Sequence, residues 1–452
     1  MNAARGYQGR LHRTQHLNVL PASGRRPVRI PPFLNSGRVL GLALLIGALA
    51  HTVMAQSGRL ERGTISSAAL AGNLFHDPTN RPYAVYLPPS YAQGSRRYPA
   101  FYMLHGFGEN LDRHLSEVRV ALDTLIRTRQ IGEMMAVFVD GRNSLLGAFY
   151  RTSAANGDYE TYIAQELVKL IDARYRTLAT TASRGLCGFS MGGYGAMHLA
   201  LNFPDTFSVV AAQSGYYDST DAVTDETLKE IARVNPLTPA ALASKPEGFQ
   251  GIFAFLPSAV PNPSRPPFFY DPPYSVDNGQ YATNQNTLQR LRDADIVHGD
   301  LGRYLPGTTR LRGIKIVHGR TDSLIPISQA RTLHQALLSA GLDHVYEEHP
   351  GGHQFLADRS LTFLSQALVG AERFISPPRL TLTGTGVDAV IQFSTQAGVD
   401  YRIEHTNNLD VAHSPWTEFD AVKGTGQPAQ VSVPINVNHG FFRLSARNSS
   451  TP

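Results

Sequence analysis

Arg184-Gly-Leu-Cys-Gly-Phe-Ser-Met-Gly-Gly-Tyr-Gly-Ala-Met197 holds a G-x-S-x-G sequence, Gly188 to Gly192, between two stretches of different texture. The apolar run Gly185 to Phe189 reads as a buried strand, and Tyr194 to Asn202 reads as a helix. A serine between a strand and a helix must take a sharp, strained turn, where side chains two residues to either side would collide. Gly188 and Gly192 remove those collisions, so the hydroxyl of Ser190 can stand above the sheet. A serine so placed is a candidate nucleophile. Near neutral pH it needs a base to take its proton and a further group to orient that base.

Both partners can be read further along the chain. Ile314 to Gly319 is strand-like, and Asp322 lies in the loop after it. Ser328 to Ala340 has helical periodicity and stops at Gly341, a good C-terminal cap. Val345 to His349 reads as the next strand, followed by Pro350-Gly-Gly-His353. Asp322 and His353 thus fall at the carboxyl ends of successive strands, the edge where open α/β sheets bind ligands. Among sixteen histidines, His349 is the nearest rival, but it falls at a strand end rather than on the Gly-Gly loop. His318 reads as a packed core residue inside its strand. Asp343 lies at the opposite edge of the sheet, and Glu347 and Glu348 lie within a strand.

These residues resemble the esterase branch of the α/β-hydrolase superfamily, which includes feruloyl and other carbohydrate esterases, S-formylglutathione hydrolases (esterase D) and mycolyltransferases. The similarity spans about residues 81–365. It rests on Tyr98-Pro…Leu-His-Gly-Phe-Gly108, Val139-Asp-Gly-Arg-Asn143, Asp158-Tyr-Glu-Thr-Tyr-Ile…Tyr175, the serine motif, His318-Gly-Arg-Thr-Asp322 and Pro350-Gly-Gly-His353. The resemblance implies an α/β-hydrolase sheet with flanking helices, and it carries Ser190, Asp322 and His353 over as the triad, in the chain order serine, acid, histidine. It also implies an oxyanion hole from two backbone N–H groups. One is that of Met191, after the nucleophile; by position the second is that of Phe107, in the turn His105-Gly-Phe-Gly108. His105 is expected to order this turn by hydrogen bonding rather than act as the base.

The departure from the family lies between Ser219 and Gly313, an insertion of about 95 residues. Its proline-dense part, Leu256 to Tyr274, is expected to be stiff and non-helical. Phe253, Phe255, Phe268, Phe269, Tyr270 and Tyr274 either wall an acyl or aryl pocket beside the serine or anchor the insertion to the body.

At 452 residues, with 42% hydrophobic and 17% charged side chains, the chain has material for more than one globular domain. Its formal charge of +5 is misleading. Residues 1–55 carry seven arginines and no acid, so the rest has 34 basic against 36 acidic groups, a balance of −2. No nucleic-acid partner is implied. The leader ends as a secretory signal: Arg38, an apolar run from Val39 to Ala50, then Val53-Met-Ala55, with cleavage expected after Ala55. The run is short of the ~20 apolar residues of a comfortable membrane span. The single cysteine, Cys187, excludes an internal disulfide and reads as a small core residue. No spaced ligand cluster or phosphate loop appears, so neither a metal nor a cofactor is expected.

Beyond Phe374-Ile-Ser-Pro-Pro378 the texture becomes short alternating runs separated by Gly/Asn/Asp turns: 379–383, 390–394, 401–405, 416–419, 430–433 and 441–445. They predict a small all-β sandwich over 379–452 behind a catalytic domain over 56–375. It resembles accessory domains of secreted bacterial proteins, and Trp416 is either a sugar-stacking platform or the module's core anchor. The whole reads as a secreted or periplasmic serine esterase acting on small-molecule or polysaccharide-linked esters, carbohydrate-linked acyl or hydroxycinnamoyl esters foremost. An acyltransferase to a sugar hydroxyl and a non-catalytic binding protein on a hydrolase scaffold are the alternatives.

Overall fold

The computed structural model describes residues 57–219, 225–234 and 238–369, together with strand segments between 381 and 448. The leader 1–55, the junction 370–380 and Trp416 lie outside the described residues. Eight strands form the central sheet: β1 (Arg59–Ser66), β2 (Asn80–Leu87), β3 (Ala100–Leu104), β4 (Met135–Val139), β5 (Arg184–Phe189), β6 (Val209–Gln213), β7 (Gly313–Gly319) and β8 (Val345–His349). Their order is β1-β2-β4-β3-β5-β6-β7-β8. Every pairing from β4 to β8 is parallel, whereas β2 runs antiparallel to both neighbours. This is the α/β-hydrolase sheet expected from the motifs.

Parallel strands covered on both faces read as unbroken apolar runs, and β3 (Ala-Phe-Tyr-Met-Leu) is buried throughout. Its alternation divides the core. Ala100, Tyr102 and Leu104 join the layer under α2 (Val168–Arg174), α3 (Met191–Asn202) and the insertion. Phe101 and Met103 meet the opposite layer, with Leu115, Val118 and Leu122 of α1 (Leu115–Arg127) and residues 361–368 further on. Cys187 faces this second layer fully buried, and burial pushes its thiol up to about 12, in keeping with a core role.

The insertion is mostly helical, with α4 (Asp225–Arg233), α5 (Pro239–Ala243), α6 (Glu247–Ala259) and α7 (Gln285–Asp293), plus a hairpin of Tyr274–Asp277 and Gln280–Thr283. One expectation fails here. Leu256 to Ala259 form the last turn of α6 despite Pro257. A proline this close to a C-terminus forfeits a single backbone bond, to the carbonyl four residues back, while Phe253, Phe255 and Leu256 around it are buried. Past the insertion, α8 (Ser328–Ser339) ends before Gly341, which takes a left-handed φ of 68°, and α9 (Ala357–Leu368) closes the domain.

The C-terminal strands are β9 (Thr381–Thr383), β10 (Asp388–Phe393), β11 (Val399–Thr406), β12 (Thr417–Lys423), β13 (Ala429–Pro434) and β14 (Phe441–Asn448). They form two three-stranded antiparallel sheets, β9-β10-β13 and β12-β11-β14. Ile391, Phe393 and Val431 of one sheet bury against Tyr401 and Ile403 of the other, as in a small sandwich.

Candidate active site

Ser190 sits between β5 and α3 with φ 56° and ψ −120°, the strained turn that the two glycines imply. A Cβ on Gly188 would lie 1.9 Å from the carbonyl oxygen of Gly192, and one on Gly192 would lie 2.0 Å from that of Leu104. The first collision is within the turn. The second is with β3, so it also measures how closely α3 rides on the sheet. The N–H of Ser190 donates to the carbonyl of Gln213 at 2.9 Å, tying the turn to β6.

Asp322 and His353 meet as the strand order requires, since β7 and β8 pair in parallel and their following loops lie side by side. Nδ1 of His353 donates to Oδ2 of Asp322 at 2.7 Å. Oδ1 of Asp322 accepts the N–H groups of Leu324 at 3.0 Å and Ile325 at 2.8 Å. Burial opposes ionisation of this carboxyl, but the bonds from His353 and from its own loop outweigh it and hold Asp322 below its ordinary value. The imidazole of His353 packs 4.7 Å from the ring of Phe189, the residue before Ser190.

The rivals are engaged otherwise. His318 is fully buried, donates from Nε2 to the carbonyl of Ile325 at 2.8 Å, and is kept below its ordinary value by burial. His349 accepts the N–H of Gly351 at Nδ1 and is likewise lowered by burial. Glu347 pairs with Lys315 and Arg359, and Glu348 with Arg331.

The turn after β3 is ordered as expected, and by more groups than its sequence reveals. His105 accepts the N–H of Gly141 at Nε2 (2.9 Å), so Nδ1 carries the proton and donates to the carbonyl of Gly106 (2.8 Å). Tyr150 donates to the carbonyl of His105 at 2.8 Å. Glu109, not singled out in the sequence, accepts the N–H of Gly106 at 2.7 Å and lies 3.2 Å from Nε2 of His114. Among the described residues nothing accepts from the N–H of Phe107 or Met191. Both residues line a cavity of about 120 Å³ that opens onto Ser190.

The insertion is clamped to α3. Arg151 and Tyr194 both donate to the carbonyl of Ala294, at 3.1 and 2.7 Å. His198 lies between Asp300 (2.7 Å) and Glu160 (3.0 Å). The six aromatics of the insertion are used in three ways. Phe255 lines the cavity, against Phe149 and Tyr216. Phe269 packs on Phe75 of the body, an anchoring contact, whereas Phe253 packs on Phe268 and Tyr270 and Tyr274 bonds Asp225, all within the insertion.

Sequence spacing shows no metal-ligand cluster, yet folding gathers Asp218, Asp295 and His298 with ligand atoms within 4.8 Å of one another. The oxygens of Asp295 there are engaged by the N–H of His298, by Ser219 and by Nδ1 of His298. Among the described residues no helix is long and apolar enough to cross a membrane.

A family model described as "Putative esterase" matches residues 78–361. The chain is 26% identical over 153 residues to an uncharacterized protein, YbbA, of Bacillus subtilis, a match covering 31% of this chain and 59% of that one. It is 31% identical over 137 residues to an esterase of Mycobacterium tuberculosis, covering 29% of this chain and 28% of the other. It thus spans less than two thirds of the length of these relatives. A solved ferulic acid esterase superposes with a TM-score of 0.45 at 20% identity, covering 69% of this chain and 99% of that one.

Proposed function

Since the chain belongs to the esterase family of α/β-hydrolases, we propose that it is a carboxylic ester hydrolase working through an acyl-enzyme on Ser190. The observation that carries this reading is the hydrogen bond from Nδ1 of His353 to Asp322, in a chain whose Ser190 takes the strained turn. With its proton held at Nδ1, the imidazole offers the Nε2 lone pair as the base. Ser190 Oγ attacks the ester carbonyl as Nε2 takes its proton. The oxygen of the tetrahedral intermediate accepts from the N–H groups of Phe107 and Met191, each such donor typically contributing about 10²–10³ in kcat. Nε2 then protonates the leaving alcohol, and water, activated by the same nitrogen, releases the acid. Asp322, held ionised by its loop, keeps the imidazole in the productive tautomer and stabilises it when charged.

The protein is exported, with residues 1–55 as its leader, a reading supported by the arginine, apolar run and Val53-Met-Ala55 sequence. Residues 56–375 form the catalytic domain, and 379–452 form an accessory sandwich. The alcohol half of the ester is a carbohydrate hydroxyl, in line with export and with the extra module. The acyl half, a simple acyl or a hydroxycinnamoyl group, is decided by the cavity at Ser190. A fluorophosphonate probe tests the nucleophile: the wild type is labelled, and Ser190→Ala is not. An unlabelled, folded wild type would favour a binding protein on a silent scaffold. Product ratios with and without an added sugar acceptor separate hydrolysis from acyl transfer.

A further inference from the structure

We propose that the cavity at Ser190 seats the acyl half of the ester, that this group is apolar to its tip, and that Gly248 and Gly251 of the insertion set what fits. The proposal rests on Ser190 being the nucleophile and names the substrate class of that site. The side of the scissile bond follows from the lining. Both oxyanion candidates, Phe107 and Met191, wall the cavity, whereas His353 does not. The leaving alcohol must reach the imidazole to collect its proton, so it points away from this cavity, and the acyl group points in.

The walls are chiefly carbon, from Phe107, Phe149, Ile252, Phe255, Leu324 and Pro326. Tyr216 contributes its ring, while its hydroxyl is buried away from solvent without a partner. Glu247 stands at the exposed mouth. Among the described residues of the lining, the polar side chains are Ser190, Tyr216 and Glu247. The volume, about 120 Å³, compares with the ~150 Å³ of an apolar cavity that holds benzene. A short alkanoyl chain or one unsubstituted ring matches it in size and polarity.

One face of α6 forms the roof, and it is bare where the space is needed. A Cβ on Gly251 would lie 3.9 Å from the ring of Phe107, and one on Gly248 would lie 3.8 Å from Cδ1 of Leu324. The helix therefore bridges the oxyanion turn and the loop of Asp322 with two residues that have no side chain. It is also fixed in place. Ser258 accepts from Asn156 at 2.7 Å, Asn156 accepts from Asn143 at 3.1 Å, and Asn143 accepts the N–H groups of Leu145 and Gly147. A side chain added at 251 consequently fills the cavity instead of pushing the helix aside.

The test measures kcat/KM for p-nitrophenyl acetate, butyrate, hexanoate, benzoate and ferulate, on the wild type, Gly251→Leu, Gly251→Ala and Ile252→Ala. At about fourfold per seated methylene, the wild type should prefer butyrate to acetate by about 16-fold and ferulate least. Gly251→Leu should bring the butyrate-to-acetate ratio to about 1. Ile252→Ala should move the optimum to a longer chain. An unchanged ratio in Gly251→Leu, or a wild type that prefers ferulate to butyrate, overturns the proposal. Should Gly251→Leu not fold, Gly251→Ala, whose Cβ makes ordinary contacts, and Ile252→Ala decide the matter by the same ratio. A wild type that is neither labelled nor active on any ester would instead sink the hydrolase reading itself.

Discussion

Replacing Asp322 with asparagine leaves the side chain's shape unchanged, so the outcome depends on which way the amide points. In the wild type Oδ1 accepts from the N–H groups of Leu324 and Ile325, while Oδ2 faces Nδ1 of His353 at 2.7 Å and Nε2 of His318 at 3.4 Å. An amide that keeps its carbonyl on the two N–H groups turns its NH2 toward both imidazoles. The opposite rotamer would set that NH2 against two backbone donors, costing about 1–3 kcal/mol for each group left unpaired. The first rotamer wins, and His353 can then only accept at Nδ1. Its proton moves to Nε2, the nitrogen that must take the proton of Ser190. Loss of the productive tautomer in a serine triad lowers kcat by about 10⁴, or about 5 kcal/mol in the barrier. The assay is kcat for p-nitrophenyl acetate with Tm measured in parallel, since a folded variant should lose rate and keep stability. Asp322→Asn within tenfold of the wild type would refute the argument, and near-full activity of Asp322→Ala would remove Asp322 as the acid.

Ser190→Ala and His353→Ala should each lower kcat by about 10⁴–10⁶, at least as much as Asp322→Asn, and the same assay reads them. Gly192→Ala would set its Cβ against backbone atoms of Leu104 and His105, which no rotamer change can relieve. We expect a loss of about 3 kcal/mol or more and a fall in Tm of about 6 °C, whereas Gly302→Ala, with open space around it, should change Tm little. The buried His198 network should make stability depend on pH. Burial alone would lower the His198 imidazole, but Asp300 and Glu160 outweigh it and raise it above 6.5. Its contribution is therefore complete below pH 6.5 and is lost as the pH rises through the folded value. Glu160, despite burial, is held down to about 2 by the bond from His198, so its contribution is complete above 4.5 and is lost toward pH 2. The Tm difference between wild type and His198→Gln should be largest between about pH 4.5 and 6.5, and equal differences at pH 5 and pH 9 would contradict this.

What could be read from the chain depended on how local the cause was. The elbow at Ser190 was legible because a tight turn requires glycines within two residues of its serine, and His353 stood out from His349 because only one of them lies on the loop. Glu109 was not legible. Its partners are the N–H of Gly106 and the ring of His114, and its value depends on the path of the turn between them. The helical end of α6 was misread because a proline-rich run suggests extended chain, while burial of Phe253, Phe255 and Leu256 drives the last turn.

Alternation, glycine spacing and chain order alone determined the sheet class, the serine turn and the order in which the loops of Asp322 and His353 follow it, since each is a relation among near neighbours. Tertiary structure alone decided which insertion aromatic lines the cavity at Ser190, that Gly251 and Gly248 face Phe107 and Leu324, and that Asp218 meets Asp295 and His298. Those contacts join residues far apart in sequence. They exist only once packing of the insertion on the sheet has fixed where each side chain points.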